Sequence, residues 1–372
     1  MSQLTSAHIK YYRGLQDIDI KELTAVNIFV GENNSGKTSI LEAIQLMSNP
    51  LSLREFRSVS RMRERFFVGH RYTSSEELIS WMFSLNRDKQ RENICLAFEL
   101  DSNYFNLKYS LHEEEYIVIG TDNLSTDTNE VQEDTYYRED TVKQLTIDVE
   151  VKKNQKEAIT EKYIFNEFKP QEFQLLEQRK EIFSSSFISA MDHRIQPLSP
   201  LLVNELIKSG DRPKFIEALQ QFDPQISGIE LLMDTTSRRK SAPVPYIQHE
   251  TLGLVPVSIF GDGLRKALLI ASRIVRSENS VLLIDELETG IHTKLLPTFF
   301  KWVIQMCKDY NVQIIATTHS LEALDGMLQA NSNDVNRLTV YRLESDEEKT
   351  KIRHFTGDQL KKLRYTLGQD VR

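Results

Sequence analysis

Apolar positions at the start of the chain come in short blocks. Leu4–Tyr12 and Ile18–Ile20 are brief apolar stretches, and Val26–Val30 predicts a strand. A glycine-bearing loop follows, after which Ile40, Leu41, Ile44 and Met47 recur at helical spacing. Ser48-Asn49-Pro50 ends that helix, because proline cannot continue one. The pattern then changes. Strand-like pieces at Ile94–Leu100, Phe105–Leu111 and Leu145–Val151 surround a polar, acidic stretch at 125–140 that reads as an exposed loop. Gln171–Leu232 is predicted to be mainly helical, with Phe183, Phe187 and Ile188 on core faces. Alternation resumes at Val281–Ile284 and Val312–Ala316, each ahead of a helical pattern, and Leu338–Leu343 adds a strand.

Strands alternating with helices predict an α/β fold with a mixed, mostly parallel sheet. Residues 1–50 and 251–372 are expected to form one head. The insertion at 51–250 supplies antiparallel strands over about 94–165 and a helical subdomain over about 171–232. No internal repeat interrupts this reading.

Composition changes the picture little. With 40% hydrophobic and 27% charged residues the chain reads as an ordinary globular protein. No apolar run approaches the roughly 18 residues that a membrane span needs, and the polar first twenty residues do not resemble a secretory signal. Cys95 and Cys307 lie in apolar sequence without metal spacing, which suits buried thiols in a reducing cytoplasm. A net charge of -8 argues against a surface basic throughout but leaves room for a local basic stripe.

The chemistry begins at Gly31-Glu32-Asn33-Asn34-Ser35-Gly36-Lys37-Thr38, which fits GxxxxGK[ST] in full. It follows a predicted strand and opens a predicted helix, the context that gives the pattern meaning. Backbone N–H groups of such a loop converge on phosphates, and glycines allow close approach. Asn33, Asn34, Ser35, Gly36, Lys37, Thr38 and Ser39 are therefore candidate contacts for ATP. Lys37 would reach the β- and γ-phosphates, and the Thr38 hydroxyl would ligate Mg²⁺.

A second constellation follows the run Val281-Leu282-Leu283-Ile284, which leads directly into Asp285-Glu286. Two adjacent carboxylates at the end of a buried strand are costly unless they meet a cation or a reaction. Asp285 is assigned to the metal and Glu286 to the general base that polarises water. His319 ends the next apolar run and is placed to sense the γ-phosphate.

In this order the motifs resemble ABC-type ATPases. Ser258-Ile259-Phe260-Gly261-Asp262-Gly263 stands where that class has its signature helix, and Thr318-His319-Ser320 follows the acidic pair. The resemblance is nearest to the RecF/SMC/OLD branch, since Glu288-Thr289-Gly290-Ile291-His292 is similar to the D-loop of OLD-type ATPases. It implies a P-loop ATPase head working as a head-to-tail dimer or larger homo-oligomer. Ser258, Gly261 and Gly263 would then cap the γ-phosphate of the opposite subunit, and Arg13, in Ile9-Lys10-Tyr11-Tyr12-Arg13-Gly14-Leu15, would contact nucleotide or simply lie at the surface. No clear Q-loop glutamine is found; Gln90 stands in a wholly polar stretch. OLD nucleases carry a C-terminal Toprim domain, for which residues 320–372 are too few, and no heptads predict a long coiled-coil arm. The chain thus looks like a stand-alone OLD-like ATPase, as in the bacterial anti-phage systems Septu and PARIS. That class implies a separate effector, often a nuclease.

Arg54, Arg57, Arg61, Arg63, Arg65 and Arg71 crowd one segment, with Phe66 and Phe67 beside them. They suit DNA or RNA phosphates, or else pair with the protein's own acids or line a subunit interface; the second reading is slightly favoured. Arg238-Arg239-Lys240 is a weaker cluster. A RecF-like DNA-repair ATPase and an ATP-dependent scaffold are the rival functions.

Overall fold

The computed structural model describes residues 3–64, 73–86, 88, 90–122, 136–154, 156–166, 181–233, 243–345 and 350–372. The acidic residues 125–135, residues 171–180 of the expected helical segment, Arg65, Phe66, Phe67, Arg71 and the Arg238-Arg239-Lys240 cluster lie outside them. In chain order the first elements are β1 (Leu4–Lys10), β2 (Ile18–Ile20), β3 (Val26–Gly31), α1 (Lys37–Ser48), α2 (Leu53–Ser60) and α3 (Ser75–Ser80). Next come β4 (Ile94–Leu100), β5 (Asn103–Asp122), β6 (Tyr136–Lys153), β7 (Ile159–Asn166) and β8 (Ser185–Ile188). These lead into α4 (Asp192–Ile195), α5 (Pro200–Ser209), α6 (Arg212–Gln220), β9 (Ile226–Leu232), β10 (Val244–His249) and β11 (Gly253–Pro256). The chain closes with α7 (Asp262–Arg276), β12 (Val281–Ile284), α8 (Leu296–Asp309), β13 (Gln313–Thr317), α9 (Leu321–Ala330), β14 (Leu338–Ser345), β15 (Thr350–Thr356) and α10 (Gly357–Lys361).

Two six-stranded sheets dominate. One runs β2-β1-β4-β5-β6-β7, antiparallel throughout. The other runs β15-β14-β3-β13-β12-β8 and is parallel except for the antiparallel edge strand β15. The mixed α/β architecture read from the pattern is the observed one. A third sheet, β11-β10-β9, has three strands.

The central strands β3, β12 and β13 are buried along their whole length, which is why they are mostly apolar rather than alternating. Ile28, Leu282, Ile284, Ile314 and Ala316 join the core made with α5 to α9. Phe29, Leu283 and Ile315, one residue out of step, join the core around α1 and the antiparallel sheet. The helix α1 is wedged between the sheets, so nearly its whole circumference is buried, including the polar Glu42, Gln45 and Ser48.

Within residues 181–232 two stretches, 185–188 and 226–232, are strands beside the helices. Phe187 and Ile188 lie on β8, which pairs in parallel with β12, and three separate helices then lead into the strand β9. Four residues, Ser-Ser-Phe-Ile, are too few to show a periodicity that separates helix from strand, so the choice falls to the tertiary partner.

Candidate active site

Strand register brings the predicted chemistry together. Ile284 pairs with Ala316 and Thr317 with Phe29, so β12, β13 and β3 end side by side at the carboxyl edge of the parallel sheet. That edge is where ligands sit in α/β sheets.

The loop leaving β3 needs its glycines. Gly36 has φ 97 and caps α1, and a Cβ there would lie 2.5 Å from Leu15 Cδ2. A side chain at Gly31, with φ 147, would come within 2.6 Å of the Leu343 carbonyl. Asn34 also adopts a left-handed conformation, with φ 62, which asparagine tolerates better than most residues. Asn33 and Asn34 are exposed at the rim, while Ser35 is buried.

Lys37 is folded into the loop. Its Nζ donates to Gly31 O at 2.8 Å, Glu32 O at 2.7 Å and Ser35 Oγ at 3.2 Å. Burial lowers its pKa, opposed by the carboxylates of Asp285, Glu286 and Glu288. Ser39 faces sideways and accepts from Arg63 Nη2 at 2.9 Å.

Thr38 and Asp285 meet directly, the hydroxyl donating to Oδ2 at 3.0 Å. Thr317 Oγ1 holds the other carboxylate oxygen at 2.6 Å and accepts from Glu286 N at 2.8 Å. Burial raises the Asp285 pKa, and the hydrogen bonds from Thr317 and Thr38 pull it back. A hydroxyl and a carboxylate in contact fit a hard divalent cation whose remaining ligands are phosphate and water oxygens, the habit of Mg²⁺.

Glu286 has φ 48, a left-handed conformation costing a non-glycine residue on the order of 1–3 kcal/mol. Thr289 Oγ1 donates to its Oε2 at 2.9 Å. Such strain is held in place only where the surroundings over-determine it. The backbone N–H of His319 donates to Glu288 Oε1 at 3.1 Å, so the residue expected to sense phosphate is tied by its main chain to the turn after the acidic pair.

The remaining predicted residues lie elsewhere. Gly261 caps α7 with φ −65, and a Cβ there would meet nothing within 4 Å. Ser258 is exposed, and its carbonyl accepts from Arg265. Gly263 is likewise uncrowded, its nearest neighbours being Ile291 Cδ1 at 3.8 Å and Gly290 O at 3.9 Å. Among the described residues no hydrogen bond or ion pair joins this segment to the phosphate loop of the same chain. Gln90 is exposed on a turn, where Asn86 N donates to its carbonyl.

Arg13 is held against the flank of α1. Its Nε donates to the buried Glu42 at 2.7 Å, and Arg63 Nε grips the other carboxylate oxygen at 2.8 Å. Burial pulls the Arg13 pKa down, but Tyr12 and Glu42 outweigh it and the guanidinium is held charged. Arg61 donates to Ser75 Oγ at 2.7 Å, whereas Arg54 is exposed. Two members of the arginine stretch thus serve internal contacts. Thr317, Thr289 and Glu42 were not singled out from sequence, because a lone hydroxyl or acid carries no spacing signal.

The phosphate loop, the strand-end acids and the two sheets define a P-loop ATPase with the fold of an SMC head. The family described as "AAA domain, putative AbiEii toxin, Type IV TA system" matches residues 26–325, and the chain belongs to it. An "ATP/GTP phosphatase" of Helicobacter pylori is 24% identical over 387 residues, covering 96% of each protein. The DNA replication and repair protein RecF of Pseudoalteromonas translucida is 38% identical over 69 residues, 18% of this chain and 19% of that protein. Among solved structures, an SMC head bound to the C-winged helix domain of ScpA superposes with a TM-score of 0.51 at 11% identity, covering 96% of this chain and 99% of that one.

Proposed function

We propose that the protein binds MgATP in the phosphate loop and hydrolyses it across a head-to-tail pair of its own copies. The observation carrying this is the contact of Thr38 with Asp285, with Glu286 next in sequence and held by Thr317 and Thr289. Backbone N–H groups of residues 33–39 and Lys37 bind the phosphates; Thr38 and Asp285 hold the cation, which offsets charge on the phosphates. Glu286 takes the proton of the attacking water. The helix N-terminus at Gly261, uncrowded within its own chain, offers N–H groups to a phosphate brought by a partner. His319 and Arg13 complete the set, His319 at the γ-phosphate and Arg13 beside the loop.

Closure of two heads converts nucleotide state into shape. We assign that movement to the control of a separate effector, a nuclease being the leading kind, in bacterial anti-phage defence. The family description names a putative AbiEii toxin of a type IV TA system, which suits a two-component bacterial system. A RecF-like DNA-repair role is the second reading, favoured by the RecF match and by the exposed Arg54. The test compares wild type with Glu286→Gln for ATP turnover and for mass by light scattering in ATP. Expected are slow wild-type turnover, a loss of about 100-fold or more in the variant, and an ATP-stabilised dimer that persists in it. Equal turnover would remove Glu286 as the base. Steep salt-dependent affinity for DNA would move the assignment to the RecF-like role.

A further inference from the structure

Lys266 sits in the second turn of α7 and is fully buried, yet no step above uses it. Among the described residues the only other buried lysine is Lys37 in the phosphate loop. Burying an ammonium sacrifices solvation and the rotamer freedom of a long side chain, so such a group persists where its donors have a task.

Its donors converge on the strained turn. Lys266 Nζ donates to Glu286 O at 2.7 Å and to Thr289 O at 3.0 Å. The same turn is closed internally, with Thr289 N donating to Glu286 O at 3.1 Å and Thr289 Oγ1 to Glu286 Oε2 at 2.9 Å. One ammonium therefore spans the two ends of a four-residue loop whose first member is left-handed. The far side of the loop is also confined: Gly290 has φ 83, and the buried His193 ring packs so closely that a Cβ there would lie 2.8 Å from Nε2. With carbonyls held from α7 and the glycine backed by α4, the turn has little freedom to relax.

We propose that Lys266 is a positioning residue for ATP hydrolysis, holding the Glu286 backbone in its left-handed conformation and so aiming the carboxylate at the attacking water. Because Lys266 belongs to the helix headed by Gly261, the same side chain ties the aim of Glu286 to the position of the signature helix. Contact of a partner nucleotide with that helix is thereby felt at this subunit's own base. The inference rests on the reading of Glu286 as base.

The experiment uses the full chain with Lys266→Met, Lys266→Arg, Thr289→Val and Glu286→Gln, measuring kcat, KM, affinity for a fluorescent ATP analogue, and melting temperature. Lys266→Met is expected to lower kcat by about 100-fold, the scale of a misplacement near 1 Å, with KM and analogue affinity within about twofold of wild type. Lys266→Arg, which can still donate to both carbonyls, recovers part of the loss, and Thr289→Val repeats the kcat-selective defect. A Lys266→Met enzyme with wild-type kcat overturns the proposal. So does one whose kcat and nucleotide affinity fall together with its melting temperature, since that marks a packing role. If Lys266→Met does not fold, Lys266→Gln, whose uncharged amide keeps N–H donors, is read by the same criteria. Full turnover by Glu286→Gln would instead defeat the base assignment, whichever way the Lys266 variants behave.

Discussion

The hydroxyl of Thr38 donates to Asp285 Oδ2 at 3.0 Å although 247 positions of sequence separate them. The strands that lead to them, β3 and β12, are not neighbours, for β13 lies between them. Adjacent strands stand about 4.8 Å apart, so the gap at the sheet is roughly twice that. It is closed because Thr38 starts a helix that leans over the sheet edge and because Thr317, from the intervening strand, draws the carboxylate inward at 2.6 Å. Both proposed metal ligands are thus oriented before any cation arrives.

Thr317 is accordingly expected to matter beyond its size. Thr317→Val keeps the shape but removes a donor to Asp285 and the acceptor of the Glu286 N–H. Leaving such a buried group unsatisfied costs about 1–3 kcal/mol. Urea denaturation should show that loss, and the concentration of Mg²⁺ giving half-maximal turnover should rise. An unchanged Mg²⁺ dependence would mean that Thr317 does not orient the metal ligand.

Glu42 tests the buried charge network on α1. Its carboxylate is fully buried between Arg13 and Arg63, so Glu42→Ala strands the buried guanidinium of Arg13, while that of Arg63 is half exposed and keeps water as a partner. Breaking a buried ion pair from one side typically costs about 3–5 kcal/mol. Arg63→Ala, which removes the more exposed partner, should cost less. Melting curves of the two variants decide the matter, and a Glu42→Ala protein as stable as wild type would refute the structural role.

Gly261 separates action within one chain from action between chains. A side chain there meets nothing within 4 Å and the backbone has an ordinary negative φ, so Gly261→Arg should fold with wild-type stability, within about 0.5 kcal/mol. Turnover should nevertheless fall at least tenfold if a partner's phosphates approach this helix. Mixing Gly261→Arg with Lys37→Ala should restore part of the activity, because one of the two shared sites is then intact. No recovery on mixing would argue for hydrolysis within single chains.

Lys266 predicts a pH dependence of stability. Burial lowers its pKa to about 8 from an ordinary 10.5, against the pull of Glu288, Glu286 and Asp285. Between those values the unfolded chain holds the proton more tightly than the folded one, so this group's contribution to stability rises with pH. Its charge penalty is full below pH 8 and vanishes above about 10.5. The melting temperature of wild type relative to Lys266→Met should therefore increase across that window. A difference that stays flat or falls would contradict the burial of a charged ammonium.

Much of the site was legible because its pattern is local. The phosphate loop needs consecutive residues with a glycine at φ 97 ahead of a helix, and the acid pair needs only a strand to end where it does. The strand at 185–188 is not legible within a segment whose pattern is mainly helical, because its identity depends on pairing with β12, which four residues cannot announce. Arg13 was identified as a candidate contact, but its buried partner Glu42 was not, since a glutamate inside a helical repeat looks like any solvated acid until both sheets cover that helix.

The amino-acid sequence by itself determined the α/β class, the phosphate-binding turn, and the placing of two carboxylates directly after a buried strand. These follow from steric demands and periodicities that span a few neighbouring residues. Only the tertiary structure decided that Thr317 would lock Asp285, that Arg13 and Arg63 would share Glu42, and that Lys266 would grip the Glu286 turn. Those choices depend on which distant groups are buried together. Water is then no longer available as a partner, and each polar atom must find one in whatever the fold brings near.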